Sequence, residues 1–211
     1  QADPGFRRFM WVNNVPRARE YLEYYDVDLA QPEHHHQSSY TTLLHDARSP
    51  EMAAFLLDSG AAGAMEIQTG PGEEGRAAGC TPLQHHAIKG NREIVALLRA
   101  RGAIYDALAA VALSDLDWLR NAQLDTELAY AYDNTLLHWA AALSNIETAT
   151  YLLDLGYNVN AENAFGETPL IMAGLSPHLY HFVDKPERSQ AISLLKDRGA
   201  GVDVFTLAAL G

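Results

Sequence analysis

The sequence contains little cysteine and little positive charge, and it has no long apolar run. Its single cysteine, Cys80, cannot form an intrachain disulfide, so an oxidising compartment is not implied and a cytoplasmic location is favoured. The 211 residues carry 15 Lys and Arg against 27 Asp and Glu, a net charge of −12. This charge argues against nucleic acid and anionic membranes as partners. Even the apolar stretch 107–119 is interrupted by Ser114, Asp115 and Asp117, so no membrane span is predicted.

Enzyme signatures are also missing from the sequence. It has no Gly-x-Ser-x-Gly, no Gly-x-Gly-x-x-Gly, no phosphate-binding Gly-x-x-x-x-Gly-Lys-Ser/Thr and no His-Glu-x-x-His. We therefore predict a protein that is not an enzyme and that needs neither a cofactor nor a metal.

A threonine-leucine pattern recurs along the chain. Thr135 and Thr168 are 33 residues apart, and Thr42 and Thr81 are 39 apart. A glycine follows Thr81 and Thr135 at the same offset of 21 residues. The gap of 54 residues between Thr81 and Thr135 leaves room for one degenerate unit. The segments are Thr42-Leu43-Leu44-His45, Thr81-Pro82-Leu83-Gln84, Thr135-Leu136-Leu137-His138 and Thr168-Pro169-Leu170-Ile171.

Each unit has the chemistry of a helix pair. The threonine can cap the first helix, with proline at its first position in two units, and Thr81 with Gln84 fits a capping box. Leucines at helical spacing predict a second helix, which a glycine ends. These glycines are Gly60, Gly102, Gly156 and Gly199.

These segments, the Leu-Leu-x-x-Gly endings and the stretch Gly156-Tyr157-Asn158-Val159-Asn160-Ala161 resemble ankyrin repeats. The resemblance implies an all-α solenoid of stacked antiparallel helix pairs with short protruding turns, forming one domain over residues 1–211. The predicted units are 1–36 (degenerate), 37–76 (with a long Gly-rich loop), 77–103, 104–129 (degenerate), 130–162 (the best match), 163–200 (with an insertion at 176–187) and 201–211 (partial).

The last unit is incomplete and keeps an apolar face. Val204, Phe205 and Leu207 lie where a terminal unit is normally polar. We therefore expect either that the natural chain continues beyond residue 211 or that a partner covers this edge.

Nine histidines raise the hypothesis of a metal-binding protein. Three successive imidazoles, His34–His36, seldom converge on one site, so we expect a solvated loop there. The family resemblance implies that His45 and His138 hydrogen-bond neighbouring loops. His86 stands where the pattern wants alanine, which favours a buried ring. Cys80 is expected in an exposed turn, without the oriented base that a nucleophile needs.

A surface therefore remains as the place for function. The resemblance implies that a partner protein docks on the concave side, on turn tips and first helices, with the chain acting as adaptor, inhibitor or targeting domain. The alternatives are a regulatory portion of a larger enzyme or effector, or the metal-binding protein. Tyr132 and Phe165, 33 residues apart, are expected side by side at consecutive tips. The candidate partner-binding residues are Tyr132, Asn134, Phe165, Glu167, Ile88, Lys89, Leu143, His85 and Trp139.

Overall fold

The structure is a computed structural model that describes residues 4–36, 39–69, 79–179, 187–202 and 206. Packing contacts group these residues into two compact units, one ending at Tyr105 and the other beginning at Asp106. The described part is mostly helical, as predicted. The solenoid and the unit boundaries given above stay predictions.

The first unit contains five α-helices among its described residues. The third of these helices packs on both the second and the fifth, while the first packs on the second and the fourth on the fifth. Two short strands form an antiparallel pair in which Glu33 faces Thr41 and His34 faces Tyr40. The bounds are α1 (Pro4–Trp11), α2 (Val15–Tyr24), β1 (Glu33–His36), β2 (Ser39–Thr41), α3 (Pro50–Asp58), a short 3-10 helix (Ala61–Ala64), α4 (Pro82–Ile88) and α5 (Arg92–Ala100).

The second unit stacks helix pairs in order. The first helix of its middle pair packs on the first helices of the pairs before and after it, and the second helices of the last two pairs pack together. The bounds are α6 (Ala107–Leu113), α7 (Leu116–Asn121), β3 (Ala129–Tyr130), a 3-10 turn (Ala131–Asp133), β4 (Asn134–Thr135), α8 (Leu136–Ala142), α9 (Ile146–Asp154), α10 (Pro169–Leu179) and α11 (Arg188–Asp197).

Side-chain caps start the helices where the sequence predicts them. Thr81 Oγ1 accepts from the Gln84 amide at 3.3 Å, and Gln84 Oε1 accepts from the Thr81 amide at 2.9 Å, which completes the predicted capping box. In the degenerate unit Asp106 replaces threonine and accepts from the Ala109 amide at 3.0 Å. The helix end at Gly156 has φ 94°, a left-handed conformation that a side chain would strain.

Two histidines, His45 and His138, each join the threonine that opens one repeat to the turn before the next repeat. His138 Nδ1 accepts from the Thr135 amide at 3.0 Å, and its Nε2–H donates to the Glu167 carbonyl at 3.0 Å. His45 repeats this arrangement with the Thr42 amide at 3.1 Å and the Cys80 carbonyl at 2.9 Å. The expectation that these rings bond neighbouring loops is therefore confirmed.

The Thr42 unit departs from the predicted helix pair. The segment after Thr42 forms only turns, with the His45 amide donating to the Thr42 carbonyl at 3.0 Å and the Asp46 amide to the Leu43 carbonyl at 3.2 Å. Ser49 then caps α3 directly. The reason is length, because Thr42 precedes its second-helix cap by 7 residues, whereas Thr81 precedes Asn91 by 10.

Three other expectations concern His34–His36, the insertion at 176–187 and the C-terminal apolar residues. The backbone of His34–His36 lies in β1 and not in a loop, although the side chains of these residues lie outside the described part. The predicted insertion at 176–187 begins as a continuation of α10 to Leu179. Val204, Phe205 and Leu207 fall outside the described residues. No helix among the described residues has both the length and the apolar character to cross a bilayer.

Acid should destabilise this fold through His45 and His138. Burial lowers the pKa of each from 6.5 to about 4. Between these values the unfolded chain binds more protons than the folded chain, so the free energy of unfolding falls as the pH falls from 6.5 towards 4. At pH 5 the loss is about 2 kcal/mol for each histidine. Urea unfolding followed by circular dichroism at several pH values measures it.

His138→Gln is the matched variant for this prediction. Gln84 shows that a glutamine at this place completes the capping box without an ionisable ring. The variant should be less stable than the parent at neutral pH but should lose about 2 kcal/mol less on acidification to pH 5. An unchanged acid dependence would contradict the assignment to His138.

Candidate partner-binding surface

The tip of the best-matching repeat is a tight hairpin. Tyr130 pairs with Asn134 across its base, and the turn between them places Tyr132 at φ 60° and Asp133 at φ 59°. A bulky residue in this left-handed region is rare and costs free energy, so the surrounding structure must hold the turn. The Asn134 amide group helps to hold it by donating to the Ala131 carbonyl at 2.9 Å.

The next tip is organised by one asparagine. Asn163 Oδ1 accepts from the Phe165 amide at 2.9 Å and from the Glu167 amide at 3.0 Å. This is the Asx-type turn that a short amide side chain makes with its own backbone. Gly166, at φ 73°, supplies the left-handed residue that the turn needs.

A buried polar network joins the two tips. Asn163 Nδ2 donates to Asn134 Oδ1 at 3.0 Å and to Glu167 Oε2 at 3.1 Å. The Ala164 amide donates to the Tyr132 carbonyl at 2.8 Å, which links the tips through the backbone as well. All three network side chains are buried. The repeat pattern gives no signal for the role of Asn163 in this network, so the sequence alone does not predict it.

The aromatic rings of the two tips are in contact, as their spacing predicts. The ring centroids of Tyr132 and Phe165 are 5.1 Å apart with an angle of 47° between the planes. Phe165 is 51% exposed, and Tyr132 is half-buried. A partly exposed pair of this kind offers a partner apolar area and, through the tyrosine hydroxyl, a hydrogen-bonding group. We refer to these two side chains as the tip pair.

Five other predicted contact residues have almost no free surface. Trp139 and Asn134 are fully buried, Leu143 is 4% exposed, Glu167 7% and Ile88 8%. These side chains serve packing and the polar network and leave little surface open to a partner in this conformation, so their role as partner contacts stays a prediction. Of the two predicted residues that remain, both in the first unit, Lys89 is exposed and His85 is half-buried.

His45, His85 and His86 of the first unit lie close together, and the ring nitrogens of His45 and His86 are hydrogen-bonded within the fold. His86 Nε2–H donates to the Leu44 carbonyl at 2.8 Å, and its Nδ1 accepts from Asn91 Nδ2 at 3.1 Å. The His85 ring lies 5.4 Å from that of His45. Burial holds the pKa of His85 well below its usual value and also lowers that of His86.

These hydrogen bonds bear on the metal hypothesis. With both ring nitrogens of His45, His86 and His138 already hydrogen-bonded, none can ligate a metal without losing a bond. Among the described residues, no group of three or more His, Cys, Asp and Glu side chains is placed to hold a metal ion.

Cys80 is buried, in contrast to the exposed position expected. Cys80 is 1% exposed, and its backbone amide donates to Thr69 Oγ1 at 3.2 Å. The Gly79 amide also donates to the Thr69 carbonyl at 2.8 Å. Thr69 and Gly79, the residues on either side of 70–78, are thus hydrogen-bonded to each other.

Asn163→Asp tests the network that supports the tip pair. The change preserves shape and the acceptor for the two backbone amides, but it replaces the donor Nδ2 with an oxygen facing Asn134 Oδ1 and Glu167 Oε2. The free energy of unfolding at pH 7 should fall by about 2 kcal/mol, because a buried acceptor then faces two others. Urea unfolding measures it.

Asn160→Asp is the control for this variant. Asn160 is an exposed asparagine three residues before Asn163, and its Nδ2 donates to the Gly199 carbonyl at 3.1 Å. Its change should cost clearly less, because water can solvate an exposed carboxylate. Equal losses in the two variants would contradict the buried network.

Comparison with known proteins agrees with the helix-pair architecture. Residues 137–175, which run from α8 into α10, match the family model described as ankyrin repeats (many copies). A stretch of 42 residues is 48% identical to part of the palmitoyltransferase ZDHHC13 of Mus musculus, and it spans 20% of this chain and 7% of the mouse protein. The predicted resemblance is thus confirmed at the best-matching repeats.

Proposed function

We propose that this chain, in which residues 137–175 match ankyrin repeats, binds another protein through the tip pair and catalyses no reaction itself. Ankyrin repeats are generally protein-interaction modules. The observation that carries the proposal is the exposed contact of Tyr132 with Phe165, with centroids 5.1 Å apart on two neighbouring tips. Exposed aromatic side chains of this kind commonly dominate the energy of protein interfaces.

The rigidity of the tips supports the proposal. The network of Asn134, Asn163 and Glu167 and the Ala164–Tyr132 backbone bond hold the backbone below both rings. A partner would therefore spend little free energy on ordering these side chains, and more of the contact energy would appear as affinity.

Charge favours a neutral or basic partner surface. The chain carries a net charge of −12, and Asp133, which follows Tyr132 in the chain, is exposed. Opposite charge on the partner would speed association, and like charge would suppress it.

A second candidate is a regulatory portion of a larger enzyme. The similarity to a stretch of a palmitoyltransferase supports it, because a segment of this kind occurs there in a chain with an enzyme name. Under this candidate the tip pair would bind a catalytic domain or its substrate protein. The two candidates therefore share the surface and differ in the partner.

Truncation of the tip pair tests the proposal. The double variant Tyr132→Ala and Phe165→Ala should reduce binding to the partner at least tenfold, since anchors of this type cost about 2 kcal/mol or more when truncated. The partner is first identified by crosslinking and mass spectrometry with the parent chain, and its affinity is then measured with purified protein. Circular dichroism melting should be nearly unchanged, because Phe165 is 51% exposed.

Tyr24→Ala is the matched control. Tyr24 is 76% exposed and lies at the end of α2 in the first unit, so its truncation removes similar aromatic area elsewhere. The control should retain binding. Full affinity in the double variant would overturn the proposal, as would equal losses in the control.

A further inference from the structure

The shortened repeat of the first unit leaves a notch in the row of first helices. Its second helix α3 packs between α2 and α5, whose first helices are α1 and α4. The middle position, after Thr42, holds only a turn where the next repeat holds α4. The result is a cleft of about 300 Å³. We name it the notch. Its walls are Trp11, His45, Asp46, Ala47, Arg48, His86, Lys89 and Asn91.

The floor of the notch is fixed and uncharged at neutral pH. His45 and His86 are buried with both ring nitrogens hydrogen-bonded, and burial keeps the pKa of each low. Asn91 is held against His86, with Nδ2 at 3.1 Å from Nδ1. A ligand therefore meets a preformed surface that does not need to rearrange.

The rim of the notch is positively charged in an acidic protein. Arg48 and Lys89 are exposed, and neither forms an ion pair with another described residue. The acidic group of the wall, Asp46, is already paired with Arg7. These four groups leave a local excess of positive charge beside the notch.

Trp11 adds an apolar side to this charged rim. It is the last residue of α1 and is 58% exposed, so much of its indole is open to solvent. A cation pair next to an exposed indole fits a carboxylate beside an aliphatic or aromatic side chain. A long polyanion fits poorly, because the net charge of −12 repels it beyond the rim.

We propose that the notch binds a short acidic segment of a partner protein, with one carboxylate between Arg48 and Lys89 and a neighbouring apolar side chain against Trp11. The notch lies in the first unit and uses none of the tip pair, so this proposal is independent of the one above. It assigns to the first unit a ligand whose charge is opposite to the partner surface expected from the net charge.

A random linear peptide library displayed on phage and selected against the full chain tests the proposal. Selected peptides should be enriched in Asp and Glu next to an apolar residue. Fluorescence anisotropy should show that Arg48→Gln and Lys89→Gln each raise the Kd of such a peptide roughly tenfold, as loss of a charge partner predicts. Arg17→Gln, an exposed arginine on α2, should leave the Kd unchanged.

A variant that fills the notch separates shape from charge. Insertion of Ala-Ile-Lys between Ala47 and Arg48 copies residues 87–89 and restores the spacing of the next repeat. It should abolish peptide binding although it adds a positive charge, while the circular dichroism melt shows a folded chain. Tyr132→Ala with Phe165→Ala should bind the peptide normally, which distinguishes failure here from failure of the tip pair.

Three results would overturn the proposal. One is a set of selected peptides without acidic enrichment. Another is a peptide affinity that does not change in either Arg48→Gln or Lys89→Gln. The third is competition by inorganic phosphate as effective as competition by unlabelled peptide, which would indicate an anion site without peptide selectivity.

Discussion

The geometry of two repeats depends on the pair of hydrogen bonds that a neutral, buried imidazole makes in each of them. In His45 and His138 one ring nitrogen accepts from the amide of the threonine that opens the repeat, and the other donates to the carbonyl just before the next repeat's threonine. Only the neutral ring can accept and donate at once, so protonation would remove the acceptor that completes the cap. The same bond therefore fixes helix start, turn position and acid sensitivity. In the second unit it places Glu167, which belongs to the network below the tip pair.

At the tips, buried polar groups hold the backbone in place, and aromatic groups lie at the surface. Asn134, Asn163 and Glu167 satisfy one another away from water, and their geometry leaves little freedom to the backbone. The backbone of Tyr132 has an unfavourable left-handed conformation, and this conformation places its ring beside Phe165. A side chain can bind at low entropic cost only if other residues hold it, and here the supporting residues differ from the proposed contact residues. That separation explains why the buried neighbours of the tip pair are poor candidates for contact.

Local and periodic features of this fold could be predicted from the sequence, whereas features that depend on packing could not. Thr81, Gln84 and Gly156 act within their own helices, so their patterns predict caps and ends. The 33-residue period predicts the neighbouring positions of Tyr132 and Phe165, because a repeat places equivalent residues side by side. The burial of Trp139, Leu143 and Ile88 depends on neighbouring elements, so the pattern of a single repeat does not predict it. The pairing of β1 with β2 is not predicted, because the composition of three successive histidines favours a solvated loop.

Differences in repeat length matter more here than differences in repeat residues. A substitution on a helix changes one side chain, but this repeat has three residues fewer before Ser49 than the next has before Asn91, which leaves a turn, instead of a first helix, between α1 and α4. They cannot close the gap, because α1 and α4 are held by their own second helices, α2 and α5, and α3 keeps those two apart. Close-packed interiors do not deform continuously to fill a missing element, so the space stays open to solvent. A stacked-repeat chain can thus acquire a concave site by losing residues, without any new catalytic or metal-binding side chain.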